Sequence, residues 1–393
     1  MVEKVYKIKD VFNLFAGGDV NHSHFSEYKT SAYIFCVYSN SLADHGLYGY
    51  TDVPKYSGDS ITITGRGSIG HAEYRPFDFD AIIRLLVLIP KYKDIIDSRY
   101  VTELINSYVK FPLESTGVPQ LTVPQIENIE ISLPTIEVQR KIANALSDMD
   151  SMISLLEKLI AKYKSIKAAC LQQMFPQNGE TVPRMRLPGF TDDWEQRKLS
   201  ELTSMHARIG WQNLRTSEFL NSGDYMLITG TDFNDGAINF STCHYVERER
   251  YEQDRNIQIH NGSILITKDG TLGKVAYVQG LSKPATLNAG VFNVQIKDAN
   301  IVDEKYLFQY LKAPFLMDYV DKKATGGTIK HLNQSILVDF PVILPQRSEQ
   351  ILIGAFFQQL DNLITLHQRK LEKVQKIKQG MMQQLLTGKI RLV

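Results

Sequence analysis

The chain has 393 residues, enough for two or three domains, and 43% of them are hydrophobic, which suits folded globular cores. Its 44 basic and 43 acidic side chains leave a net charge of +1. That excludes nucleic-acid binding by bulk charge, though not by local basic patches. The three cysteines, Cys36, Cys170 and Cys243, are widely separated and odd in number, so no disulfide framework or zinc spacing is present and a reducing cytoplasm is expected. An apolar run of about 18 residues and a signal-peptide pattern are both missing, so a soluble protein without a membrane partner is expected.

Residues 1–134 read as a mixed α/β domain. Val5 to Phe15 is a short amphipathic opening ended by Gly17-Gly18-Asp19. Tyr33 to Tyr38 and Ser60 to Thr64 are rich in β-branched and aromatic residues and read as buried strands. Ile82 to Ile89 is a further apolar run. Tyr100, Leu104 and Tyr108 have helical spacing within Ser98 to Tyr108, and Ile129 to Leu133 reads as a strand. Residues 135–176 hold a long helix, stopped by Phe175-Pro176-Gln177-Asn178-Gly179, since proline and glycine disfavour continuation. A proline- and glycine-bearing linker, 177–193, leads to a second domain over 194–345. A second long helix lies within 346–393.

The two helices are copies of one element. The first carries an apolar seam at Ile142, Leu146, Met149, Ile153, Leu156, Ile160, Tyr163, Cys170 and Met174, with the alternating steps of a heptad pattern. The second carries Ile353, Phe357, Leu360, Ile364, His367, Leu371, Val374, Met381 and Leu385, each 211 residues later. Lys167 and Lys378 interrupt the seams at the same step. Asp150 and Asp361 correspond, as do Gln139 and Gln350, and the pairs Leu133-Pro134 and Leu344-Pro345. A constant offset over so many positions marks a duplicated unit.

The globular segments echo each other more faintly. Lys198-Leu199-Ser200-Glu201-Leu202 matches Lys7-Ile8-Lys9-Asp10-Val11. Ile266 to Gly273 matches Ile63 to Gly70, and Gly326 to Leu332 stands where Ser115 to Leu121 stood. Elsewhere the domains diverge while the helices do not. A helix of about 38 residues is roughly 57 Å long. The 15 residues from Pro176 to Phe190 reach roughly 50 to 54 Å at most. A parallel return is therefore barely possible, and the expectation is an antiparallel helix pair with one domain at each end.

No catalytic constellation is legible. Gly65-Arg66-Gly67-Ser68-Ile69-Gly70 matches GxGxxG after a strand, but a dinucleotide loop must open a helix, and His71-Ala72-Glu73-Tyr74-Arg75-Pro76 is a poor helix start. Gly270-Thr271-Leu272-Gly273-Lys274 lacks the residues of a phosphate-binding P-loop. Both read as strand–turn–strand elements carrying a basic residue, Arg66, or Lys268 and Lys274. The Asn/Asp-Pro-Pro-aromatic loop of amino-methyltransferases, GxSxG and HExxH do not occur. Glu27-Tyr28-Lys29 is at most half of a nuclease site.

Polar and basic loops remain. His206, Arg208, Trp211, Gln212, Asn213 and Arg215 cluster in one; Thr328, Lys330, His331, Asn333 and Gln334 lie in another. Asn21, His22, His24 and Gln120 stand at the corresponding places of the first domain. Arg, Lys, Asn and Gln read base edges and Trp can stack on bases. Ordinary surface loops would have the same composition, so both readings stay open at this point.

This duplicated order resembles the specificity subunits of type I restriction-modification systems. The resemblance covers nearly the whole chain. It rests on Leu133-Pro134 with Gln139 and Ile142, and on Leu344-Pro345 with Gln350 and Ile353. It rests also on Arg186-Leu187-Pro188-Gly189-Phe190 before Trp194, and on Lys268-Asp269-Gly270-Thr271-Leu272-Gly273-Lys274. The first half departs from it, lacking the Arg-Leu-Pro-Gly-Phe leader. The resemblance implies an α+β fold: two target-recognition domains, a coiled-coil-like spacer of two antiparallel helices, and a pseudo-two-fold internal repeat. It implies a non-catalytic subunit whose domains each read one half of a bipartite, asymmetric double-stranded DNA target. The helices would dock two methyltransferase subunits and, through them, restriction subunits. S-adenosylmethionine, ATP and Mg would sit on those partners and none on this chain. The alternatives are a nuclease and a coiled-coil scaffold that binds only proteins.

Overall fold

The computed structural model describes residues 4–112, 119–176, 180–323 and 332–390. The chain divides into two compact units, Met1–Lys158 with Arg369–Val393, and Leu159–Gln368. They are called units 1 and 2. The long helices, Ile136–Gln173 and Arg347–Leu385, each begin in one unit and end in the other.

Each unit is built to the same plan. In unit 1 an antiparallel sheet has the order Phe12–Ala16, Leu86–Pro90, Ser60–Ile63, Ala72–Arg75. Unit 2 repeats it as Thr203–His206, Val291–Ile296, Ile264–Thr267, Val275–Tyr277. A second four-stranded sheet in each unit contains one parallel pair, Phe35–Tyr38 with Phe79–Ala81, and Tyr225–Ile228 with Ala285–Leu287. Entry and exit of each globular part are tied in a two-stranded ribbon: Lys4–Lys7 with Glu130–Leu133, and Glu195–Lys198 with Pro341–Leu344. A single helical turn follows the first ribbon strand in both, Ile8–Val11 and Leu199–Leu202. Its two apolar residues are buried in each case, which is what the echoed five-residue motif encodes.

Some expected elements shift. The opening is not one amphipathic segment but strand, helical turn and strand, because Lys4–Lys7 and Phe12–Ala16 pair in different sheets. The apolar run Ile82 to Ile89 is divided. Its first residues form a turn, and the strand is Leu86–Pro90. The helix Ser98–Tyr108 forms as the spacing predicts, capped by Asp97, which accepts from the Arg99 and Tyr100 amides.

The helices pack antiparallel within each unit. Met381, Met382, Leu385 and Leu386 join the unit 1 core around Ile142 and Leu146. In unit 2, Tyr163 stacks on His367 at 5.6 Å and 8°, while Lys167, one turn later, reaches Asp361, further back along its partner. Seam residues Ile160, Ile353, Phe357, Leu360 and Ile364 are buried; Met149, Ile153 and Leu371 are half-buried. A second row faces solvent, including Leu155 and Leu366, again 211 residues apart.

Two anchors seat the helices. Gln139 is wholly buried; its amide donates to the Ile95 and Pro134 carbonyls and its oxygen accepts from the Asp97 amide. Gln350 repeats this with Ile301, Pro345 and Asp303. The second anchor is seen in unit 2. Arg186 of the Arg-Leu-Pro-Gly-Phe leader makes a two-pronged pair with Glu349, at 2.9 Å on each prong. At the repeat position of Glu349 the first helix has Val138. The first helix thus has no carboxylate at this repeat position.

Candidate nucleic-acid interface

The glycine turns have one architecture. In unit 1, Thr64 follows the strand Ser60–Ile63, and its hydroxyl donates to the Ser68 carbonyl and accepts from the His71 amide at 2.9 Å. The Gly70 amide donates to the Thr64 carbonyl at 2.8 Å, and Gly67 and Gly70 have φ of 68° and 88°. In unit 2 the Thr267 hydroxyl donates to the Thr271 carbonyl and accepts from the Lys274 amide at 3.0 Å. The Gly273 amide donates to the Thr267 carbonyl at 2.9 Å, and Gly270 and Gly273 have φ of 75° and 70°. The threonine satisfies the turn's backbone, and the glycines take conformations that side chains disfavour. These are strand–turn–strand elements and open no helix.

A second segment docks on each turn. The Leu121 amide donates to the Gly65 carbonyl at 2.9 Å, and the Leu332 amide to the Lys268 carbonyl at 2.8 Å. Buried Leu121 and Leu332 pin those segments into the cores. Arg66 and Gln120 are thereby brought together, with the guanidinium donating to the Gln120 side-chain oxygen at 3.2 Å. Lys268 stands 5.5 Å from the Phe292 ring centroid, and Lys274 is exposed. Asn333 stands just before the short helix Gln334–Leu337, makes no side-chain capping bond to it, and is exposed. Thr328, Lys330 and His331 lie outside the described residues, as does the Trp211 side chain.

The other candidates divide. Asn21 and His22 are exposed; His24 is held by Asp52 at 2.9 Å. Asn213 and Arg215 are exposed, with the Arg215 amide donating to Glu218 at 2.8 Å. Arg208 corrects the sequence reading. It is 1% exposed, and its guanidinium donates to the carbonyls of Leu287, Gln212 and Arg250, the Gln253 side chain and the Thr286 hydroxyl. Burial pushes its pKa down, and nearby Arg250 pushes the same way. All its donors point inward, so it braces the loop and cannot reach a base. Gln212 is likewise buried. Asn40 was missed. Its side-chain oxygen accepts from the Gly65 and Arg66 amides at 2.7 and 3.3 Å, and its amide donates to the Ile83 carbonyl at 2.6 Å. No local motif marks an asparagine 25 residues before the turn it supports.

A cavity of about 640 Å³ in unit 2, lined by His260, Asn293, Asp303 and Arg347 among others, contains none of the candidate residues. Among the described residues no group of three or more His, Cys, Asp or Glu is placed to hold a metal, and no helix is long and apolar enough to cross a membrane.

Comparison with known proteins accounts for the duplication. The chain is 26% identical over 301 residues to the type I restriction enzyme MjaVIII specificity subunit of Methanocaldococcus jannaschii, covering 75% of this chain and 69% of the relative. It is 28% identical over 146 residues to a putative type I specificity subunit of Mycoplasma pneumoniae, covering 37% and 39%. The crystal structure of a type I restriction-modification S subunit from M. genitalium superposes with a TM-score of 0.68 at 15% identity, covering 98% of this chain and 96% of that one, which shows a shared fold. The family model described as "Type I restriction modification DNA specificity domain" matches twice, over residues 3–165 and 191–376, and the chain belongs to that family.

Proposed function

We propose that this chain is the DNA-recognition subunit of a type I restriction-modification complex, each unit reading one half of a bipartite, asymmetric target. The observation that carries this is the contrast between repeated scaffold and unrepeated loops. Both units share sheet order, threonine-braced turn and glutamine anchor. The side chains those turns display differ: Arg66 and Gln120 in one, Lys268, Lys274 and Asn333 in the other. Two different half-sites require that difference, because base edges are distinguished by the donors and acceptors presented to them.

The helices set the distance between half-sites and dock two methyltransferase subunits. Repeated helices offer two equivalent docking surfaces, as two-fold assemblies favour. The solvent-facing row with Leu155 and Leu366 supports this. Restriction subunits join through the methyltransferases, and S-adenosylmethionine, ATP and Mg are held by partners, so this chain is non-catalytic. With a net charge of +1, most of the phosphate attraction comes from those partners. Exchanging residues 5–130 for the corresponding segment of another specificity subunit tests the reading. One half of the methylated motif should change while the other half and the gap persist; a wholly unchanged motif would contradict it.

A further inference from the structure

Ile83 and Arg84 both hold left-handed backbone, with φ of 55° and 60°. For a β-branched residue such as isoleucine this conformation is unfavourable, and it persists only where the surroundings enforce it. Here they do. The Ile83 amide donates to the Gly18 carbonyl at 2.8 Å and the Arg84 amide to the Gly17 carbonyl at 3.0 Å, while the Gly17 amide donates to the Leu85 carbonyl at 2.8 Å. Gly17 must be glycine, since a Cβ there would meet the Ala81 carbonyl carbon at 2.6 Å. Asn40 holds the Ile83 carbonyl from the other side.

The strained turn does not serve the core. Ile83 is 41% exposed, and Arg84 is exposed and makes no ion pair with a described residue. Through Asn40 the turn is coupled directly to the Gly65–Arg66 turn, and so to Arg66 and Gln120. Unit 2 supplies the comparison. Ile63 pairs with Leu86 in the first sheet and Ile266 with Phe292 in its counterpart. That register places Ala289 and Gly290 where unit 1 has Ile83 and Arg84. The scaffold does not need large side chains there, since unit 2 builds the same ladder without them.

We infer that the Ile83–Arg84 turn is a base-reading element of unit 1. Arg84 donates to the O6 and N7 edge of a guanine, and Ile83 packs on the 5-methyl group of a thymine in the major groove. This rests on the reading of the chain as a DNA-recognition subunit. Strain is the cost of a rigid presentation, which loses little conformational freedom on binding.

The test uses the chain in complex with its methyltransferase subunits, on the target mapped for the wild type. Arg84→Ala should lower affinity about tenfold and relax one guanine of one half-site, leaving the other half-site unchanged. Ile83→Gly relieves the left-handed strain, so it should raise the melting temperature while weakening the same half-site. Replacing the contacted thymine by uracil should weaken the wild type several-fold and leave Ile83→Gly unaffected. Unchanged selectivity in both variants overturns the assignment, and so does a uniform loss on all sequences, which would mark a phosphate contact. A wild type that methylates no split motif overturns the underlying reading, and this assignment with it.

Discussion

Lys167 and Asp361 meet at 2.6 Å across the helix pair of unit 2, and Lys378 and Asp150, their counterparts by the repeat of 211, meet at 2.7 Å in unit 1. Each lysine of one helix copy pairs with the aspartate of the other copy. A third side chain joins each pair from the globular part. Gln309 donates to Asp361 at 2.8 Å, and Glu103 lies 3.6 Å from Lys378. The lysines that break the apolar seams are therefore partnered. Burial still pushes the Lys167 ammonium down to about 8, against the pull of Asp361.

Removing one member should be worse than removing the pair suggests. Asp361→Leu strands both the Lys167 ammonium and the Gln309 amide, so it should cost about 3 to 5 kcal/mol. Lys167→Met should cost less. The double variant should be no less stable than Asp361→Leu alone, because the lysine no longer needs a partner. Denaturant unfolding of the three variants checks the order; a double variant with fully additive losses would contradict it.

Unit 1 differs from unit 2 by the carboxylate of Glu103. Burial raises its pKa above the ordinary carboxyl value, and Asp150 adds to this while Lys378 opposes it. A raised folded-state pKa means that the folded form holds the proton more tightly. The stability contributed by protonation is fully present below the unfolded pKa and is lost as pH rises through the folded one. Glu103→Gln should therefore stabilise unit 1 at neutral pH and lose that advantage on acidification. Melting temperatures of both proteins from pH 4 to pH 7 test this; a constant difference across the range would refute it.

Gln139 is expected to be among the costliest single positions of unit 1. Gln139→Leu leaves the buried Asp97 amide and the half-buried Ile95 and Pro134 carbonyls without this partner, a loss of about 3 kcal/mol. Gln350→Leu should behave alike in unit 2. Thermal unfolding reads both, and a loss below about 1 kcal/mol in either would show that the anchor is dispensable.

Two arginines that look equivalent in the sequence should behave oppositely. Arg66→Ala should leave stability within about 0.5 kcal/mol and weaken DNA binding by the assembled complex. Arg208→Met should destabilise unit 2 by about 3 kcal/mol, since it abandons buried carbonyls of Leu287 and Gln212. Stability and binding measured on the same preparations separate the roles; an Arg208→Met protein with wild-type melting would restore it as a surface residue.

What could be read from the sequence was what repeats. Gln139 with Gln350, Lys167 with Lys378, and Ile63-Thr64 with Ile266-Thr267 are visible because one physical task is done twice with one residue. The glycine turns could be separated from nucleotide loops because no helix could start at His71. What could not be read depends on distant partners. Arg208 is buried by Leu287 and Thr286, nearly 80 residues away, and a local window sees only a basic loop. Asn40 joins turns 25 and 43 residues beyond it. The sequence shows Ile82 to Ile89 only as an apolar run, broken by Arg84. The left-handed turn inside it is imposed by Gly17, Gly18 and Asn40.

The most direct test is co-expression of this chain with a type I methyltransferase subunit, followed by mapping of every methylated adenine in the host DNA. One split motif is expected, two unlike specific halves separated by a gap of fixed length. A stable complex that methylates an unsplit motif, a palindrome with like halves, or no specific site would contradict it.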